Sequence, residues 1–175
     1  MVRLYLVRHA IAEEPAGGAP RADAFRALTA KGRRRFRRGA RAFARLGEDV
    51  ELICSSPILR AVQTAELLAS ALGRDDVRVL EELGRNGAVA QLLAVLPTLG
   101  VGSVALVGHR RLLKELAVML SGVAFGEAAR VRLKRGAIAR IDARKMSADS
   151  GEPRWWLAPA GQPVRDGLPL EGASR

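Results

Sequence analysis

Apolar residues recur along this chain in two rhythms. Val2 to Val7 (V-R-L-Y-L-V) is a short run rich in β-branched and aromatic residues that stops at the polar pair Arg8 and His9, the pattern of a buried strand running out into a loop. From Ile11 to Asp23, Glu, Pro, Gly and Ala follow without a period, which predicts an irregular excursion over the surface. Thr29 then supplies a helix start. Between Lys31 and Leu46, Phe36, Ala40, Phe43 and, less regularly, Leu46 recur at helical spacing, while Arg33, Arg34, Arg37, Arg38, Arg41 and Arg45 fill the positions between them; this is an amphipathic helix. Glu51 to Cys54 reads as a second strand, cut off by Ser55, Ser56 and Pro57. Ile58 to Leu72 has the alanine and leucine spacing of a helix that ends at Gly73.

The alternation repeats downstream. Val77 to Leu80 is a brief strand, Ala88 to Leu96 a helix stopped by Pro97, Ser103 to Val107 a strongly apolar strand leading into Gly108 and His109, and Leu112 to Leu120 a helix. Gly136 to Asp142 alternates as a strand does, Arg154 to Leu157 forms another, and the last fifteen or so residues hold Gly, Pro and charge and should be loose. Strands and helices alternating at these lengths predict a three-layer α/β/α domain with a mainly parallel central sheet. Residues 1–160 are expected to form one domain and residues 161–175 a loosely ordered tail.

Composition supports one soluble unit. A chain of 175 residues with 49% hydrophobic content can fill one core. No run of about 18 apolar residues predicts a membrane span, and the first residues, with Arg3 and Arg8 inside the apolar run, do not read as a signal peptide, so a cytoplasmic protein is expected. The single cysteine, Cys54, has neither a disulfide partner nor companions for a tetrahedral metal site, and is expected to be a buried small residue. The net charge of +11 would draw in phosphorylated or acidic partners without choosing among them.

The candidate chemistry lies where the strands end. The chain has only two histidines, and each follows a predicted core strand with the same preceding pair: L-V-R-H at Leu6 to His9 and L-V-G-H at Leu106 to His109. In open α/β sheets, ligands collect at the carboxyl ends of strands. A third strand delivers S-S-P-I-L-R-A at Ser55 to Ala61, which places Arg60 about one helical turn past Pro57. Two imidazoles and two guanidiniums converging there suit a phosphoryl group. Arg8 and Arg60 can fork onto its oxygens and carry the charge of its transition state, while an unprotonated imidazole attacks phosphorus and splits hydrolysis into two displacements. No metal or other cofactor is required. A lone histidine at a strand end is more often structural than catalytic; the coincidence of two at equivalent places is what carries the reading.

At these residues the chain resembles the histidine phosphatase superfamily, whose fold is called phosphoglycerate-mutase-like. L-V-R-H-A at Leu6 to Ala10 is similar to the family's Arg-His-Gly signature with Ala10 in the glycine place. S-S-P-I-L-R-A-V-Q-T-A at Ser55 to Ala65 is similar to its second-arginine segment, and V-G-H at Val107 to His109 to its second-histidine segment. The short length, the lack of a large inserted cap and F-R-A-L-T-A-K-G at Phe25 to Gly32 resemble the SixA-type phosphohistidine phosphatases. The resemblance implies that His9 is phosphorylated, that Arg8, Arg26 and Arg60 bind phosphate, and that His109 donates a hydrogen bond to it. Larger members of the superfamily place a glutamate after the third strand, where Glu82 in V-L-E-E-L is the better positional match than Glu81, whereas SixA-type relatives manage without a dedicated strong acid, so Glu82 is either proton donor or bystander. Ala10 removes a glycine's backbone freedom, a mild change where φ is negative. Arg110 and Arg111, following His109, read either as extra cations at the pocket mouth or as a solvated helix start.

The expected partner is a phosphorylated protein carrying phosphohistidine, with a small phosphate-bearing ester as the alternative. A nucleic-acid binder is the rival from another class, because Lys31 to Arg45 holds eight basic residues around Phe36 and Phe43. Those aromatics fall on the apolar face and no nucleic-acid motif accompanies them, so a solvated charged face is the simpler reading. A phosphate-binding module without turnover is opposed by the intact set of His9, Arg8, Arg60 and His109. The sequence leaves the purpose of Trp155 and Trp156 open; paired tryptophans are more often edge packing than a partner site.

Overall fold

The computed structural model describes residues 1–14, 23–122, 131–161 and 164–167. Among the described residues, seven strands form one sheet in the order β3-β2-β4-β1-β5-β6-β7. In chain order these are β1 (Val2–Arg8), β2 (Leu52–Ser55), β3 (Arg78–Val79), β4 (Ser103–Gly108), β5 (Ile138–Ala143), β6 (Gly151–Leu157) and β7 (Val164–Asp166). The helices are α1 (Ala30–Ala44), α2 (Leu59–Ala71), α3 (Val89–Val95) and α4 (Arg110–Ser121).

The first four strands are parallel to one another, as the expectation of a largely parallel sheet requires. The sheet as a whole is mixed, because β5, β6 and β7 add antiparallel to the free edge of β1. That half had no helix-length segments between its strands, and short connections can only join antiparallel neighbours.

Alternation along β1 and β4 builds the layers. Leu4, Leu6, Val104 and Leu106 point to one side, where they bury against Leu92 of α3 and Leu112, Leu113 and Leu116 of α4. Tyr5, Val7, Ala105 and Val107 point to the other side, against Phe36, Ala40 and Phe43 of α1 and Ala61, Ala65 and Leu68 of α2. Both faces of the central strands are therefore covered, which explains why they read as unbroken apolar runs. Cys54 is fully buried on β2, and burial pushes its thiol up to about 11, so it behaves as the small core residue expected.

Local signals explain most element ends. Thr29 caps α1, its hydroxyl accepting from the Gly32 amide at 2.8 Å, an arrangement typically worth about 1 kcal/mol. Helix α3 ends at Val95, and Pro97 sits within a tighter turn, Leu96–Leu99, that closes on Gly100. Helix α4 starts at Arg110, two residues before the apolar pattern does, because exposed arginines suffice for its first turn. Strand β6 begins at Gly151 rather than Arg154 and accepts Pro153 next to a register shift between Arg140 and Ile141, the kind of irregularity that admits proline in a sheet.

Two expectations fall partly on residues outside those described: the excursion from Ile11 to Asp23, at residues 15–22, and the tail, at 162–163 and 168–175. Within the stretch expected to be loose, Val164–Asp166 instead forms β7, because the outer edge of β6 still offers unpaired backbone groups. Trp155 packs between Tyr5 and Phe43, with ring centroids at 6.3 and 6.0 Å, and its indole donates to Glu48 at 3.1 Å. The paired tryptophans thus include a packing residue of the kind expected.

Candidate active site

Sheet register brings the two histidines together. Arg8 is opposite Gly108 in the parallel ladder, and the His9 amide donates to the Gly108 carbonyl at 3.0 Å, so the next residue on each strand is a histidine. The ring centroids are 5.3 Å apart with a 59° angle between planes, close to the roughly 4.8 Å spacing of neighbouring strands.

His9 is 9% exposed, and its Nδ1 lies 2.8 Å from the Ala10 carbonyl. A carbonyl oxygen only accepts, so the proton of the neutral ring stays on Nδ1 and the lone pair on Nε2. Burial pushes the His9 pKa down to about 3; the carbonyl bond opposes this, while His109, Arg60 and Arg8 reinforce it. The ring is therefore neutral near pH 7. His109 is also held neutral, its pKa lowered to about 4 by burial and by the cations Arg60 and Arg85. Its Nε2 lies 3.0 Å from the hydroxyl of Ser56, which is fully buried.

The loop after His9 is braced twice. The Ala10 amide donates to Thr64 Oγ1 at 3.1 Å, and that hydroxyl donates to the Arg60 carbonyl at 2.6 Å, tying the histidine loop to the first turn of α2. Ile11 and Glu13 pair with Thr29 and Ala27, and Gly32 lies so close that a Cβ there would clash with the Ile11 carbonyl. This accounts for the glycine in the A-L-T-A-K-G segment. Ala10 itself is not among the residues with positive φ, so alanine in the glycine place causes no backbone strain.

The arginines surround these rings. Arg60, 6% exposed, raises the cost of charging both histidines. Arg8 donates to the Leu133 carbonyl at 2.7 Å, while its Nε is buried without a partner, a donor that an anion would satisfy. Burial, then Arg135 and Arg110, lower the Arg8 pKa to about 10, which leaves it charged at pH 7. The pairing of residues 11–13 with 27–29 brings in Arg26, whose guanidinium donates to the Asp23 carboxylate at 2.7 Å. Asp23 also receives Arg60 at 3.0 Å and Arg85 at 2.9 Å.

Glu82 lies in the turn Glu81–Leu83, half-buried, and lines an open groove of about 430 Å³ with Pro57, Ile58 and Arg85. Among the described residues its carboxylate makes no hydrogen bond to the histidines or to Arg8, Arg26 or Arg60. The two cations after His109 separate. Arg111 pairs with Glu115 within α4 and ties the helix to the carbonyls of Arg85 and Gly87, whereas Arg110 is exposed and acts on Arg8. Among the described residues no three His, Cys, Asp or Glu side chains gather where they could hold a metal, and no helix is long and apolar enough to cross a membrane.

Residues 4–84 match the model of the histidine phosphatase superfamily (branch 1). An uncharacterized protein of Picosynechococcus sp. is 34% identical over 169 residues, covering 89% of this chain and 99% of that protein. The structure of the protein histidine phosphatase SixA complexed with tungstate superimposes with a TM-score of 0.75 at 27% identity, over 90% of this chain and 97% of that one. The chain belongs to the histidine phosphatase superfamily.

This histidine phosphatase is also similar to a protein assigned as a phosphohistidine phosphatase SixA from Agrobacterium tumefaciens, with a TM-score of 0.76 and 27% identity over 90% of this chain and 98% of that one. The mycobacterial glucosyl-3-phosphoglycerate phosphatase, at 18% identity and a TM-score of 0.64, shares the fold over 98% of this chain and the whole of its own. The phosphoglycerate-mutase-like α/β architecture is thus that of the superfamily. The strand-end motifs pointed to His9, His109, Arg8 and Arg60 and the family resemblance to Arg26, whereas Asp23, Ser56, Thr64 and Arg85 emerge only from the structure. Ser56 and Thr64 lie inside the quoted S-S-P-I-L-R-A-V-Q-T-A segment, where their hydroxyls were visible but not their partners.

Proposed function

We propose that the protein hydrolyses phosphohistidine on a protein side chain through a phosphorylated His9. The observation that supports this most directly is the His9 ring, neutral by burial and with Nδ1 tied to the Ala10 carbonyl, which leaves Nε2 as a nucleophile beside His109 and Arg60. In the first displacement the Nε2–P bond forms as the substrate N–P bond breaks, and the departing imidazole nitrogen takes up a proton from solvent. In the second, water attacks phosphorus, the Nε2–P bond breaks, and inorganic phosphate leaves with His9 neutral again. One water is consumed overall.

Arg8, Arg26 and Arg60 hold the phosphoryl oxygens, and His109, braced by Ser56, offers its ring to the same group. No cofactor or metal enters these steps. A departing imidazole needs less help from a proton donor than an alkoxide does, so Glu82, out of hydrogen-bond contact with the histidines, is dispensable for P–N cleavage and useful only for esters.

The test is turnover of a phosphohistidine peptide, phosphoramidate and a panel of sugar phosphates and nucleotides, with and without chelator. P–N substrates should be cleaved at least about a hundredfold faster than esters, chelator should change nothing, and Glu82→Gln should leave P–N cleavage intact. Preference for an ester would move the substrate to the small-molecule class. Absence of turnover on every substrate would refute the reading.

A further inference from the structure

One carboxylate lies at the centre of three guanidiniums. Asp23 Oδ1 receives Arg26 at 2.7 Å, and Oδ2 receives both Arg60 at 3.0 Å and Arg85 at 2.9 Å. The Asp23 backbone carbonyl takes the other terminal nitrogen of Arg60 at 2.8 Å. Both terminal nitrogens of Arg60 are thus held by one residue, which sets the plane of its guanidinium. Arg26 is held between Asp23 and the Glu13 carbonyl. Its three cationic neighbours keep the Asp23 carboxyl below the usual range.

Donating these bonds does not exhaust the arginines. A guanidinium carries five N–H groups, and each terminal nitrogen of Arg60 keeps a second hydrogen after bonding Asp23. Those hydrogens sit on a guanidinium whose charge disfavours protonation of both His9 and His109, which places it near the two rings. A preoriented donor stabilises developing charge without reorganising during the reaction.

We propose that Asp23 is a positioning residue that holds Arg60 and Arg26 ready for the phosphoryl group, and that Arg85, bonded to the same carboxylate oxygen as Arg60, is the outer cation of the pocket. The inference rests on the phosphoryl-transfer reading above. Arg85 is half exposed, so its ion pair is weak and can be exchanged for a substrate oxygen. Asp23 acts through the arginines and does not touch the reacting atoms.

Asp23→Asn and Asp23→Glu separate this role from two others. Asn keeps the shape and removes the charge; Glu keeps the charge and shifts the carboxylate by one methylene. Positioning predicts that both variants lose at least about fivefold in kcat with a smaller change in KM, and that both bind orthovanadate, which resembles the transition state, more weakly relative to inorganic phosphate. A purely structural ion pair would lower Tm and leave kcat within about fivefold of wild type. A carboxylate that merely competes for the arginines would make Asp23→Asn bind both anions more tightly. Either result overturns the proposal. Phosphate and vanadate titrations report on Asp23 even if wild type turns over no substrate, so failure of the functional reading and failure of this inference are separately visible.

Discussion

Replacing Thr64 by valine removes one hydroxyl and nothing of the shape around it. The side chain is fully buried in α2, so water cannot enter to replace the oxygen. Two bonds are lost: the one accepted from the Ala10 amide at 3.1 Å and the one donated to the Arg60 carbonyl at 2.6 Å. The second loss is mild, because a carbonyl inside a helix still accepts from the amide four residues on. The first leaves a buried N–H without a partner, which costs about 1–3 kcal/mol. For a domain of this size, about 2 kcal/mol lowers Tm by roughly 4–8 °C. The same amide belongs to the residue whose carbonyl holds His9 Nδ1, so the ring loses its fixed orientation, and kcat should fall about tenfold, roughly 1.4 kcal/mol of barrier. Thermal denaturation and single-turnover kinetics measure the two effects. A Tm within about 1 °C of wild type, or an unchanged kcat, would refute the bracing role of the hydroxyl.

Other perturbations test the site directly. His9→Ala should abolish turnover with little loss of stability, since it removes a desolvated polar ring. Arg60→Lys should cost more than about tenfold in kcat/KM, because a point charge cannot reproduce a planar fork held by Asp23; activity within tenfold of wild type would argue against that role. Acid should weaken the fold. Both histidines have folded pKa values, about 3 and about 4, below the unfolded value near 6.5, so below pH 6.5 the unfolded chain binds protons that the native one does not. Stability should drop as pH falls from about 6.5 to 4, by up to about 1.4 kcal/mol per pH unit for each histidine. Urea denaturation across this range should show a shallower dependence in a His9→Asn/His109→Asn double variant, and equal slopes would remove the histidines as the cause.

The parallel half of the sheet was readable because its strands are buried on both faces and announce themselves as apolar runs, and because each ends in chemistry. The shared L-V pair before His9 and His109 anticipated their adjacency, which the register at Arg8 and Gly108 then produces. The antiparallel half was harder. The strand expected from Arg154 begins at Gly151, with Pro153 admitted next to a register shift, and β7 borrows its order from the edge of β6 rather than from its own composition. Asp23 could not be singled out because its role is defined by three arginines up to 62 residues away in sequence. Arg111 looked like a companion of Arg110, yet hydrogen bonds to two backbone carbonyls and Glu115 make it structural.

The imidazoles stand opposite one another just past the ends of two adjacent strands, so the gap between them is a dimension of the sheet itself. Asp23, Glu82 and Arg85, by contrast, stand on connecting segments, which tolerate insertion and exchange far better than buried strands do. A lineage carrying this framework could therefore lengthen those connections and admit differently shaped molecules while the distance that governs bond exchange stayed constant.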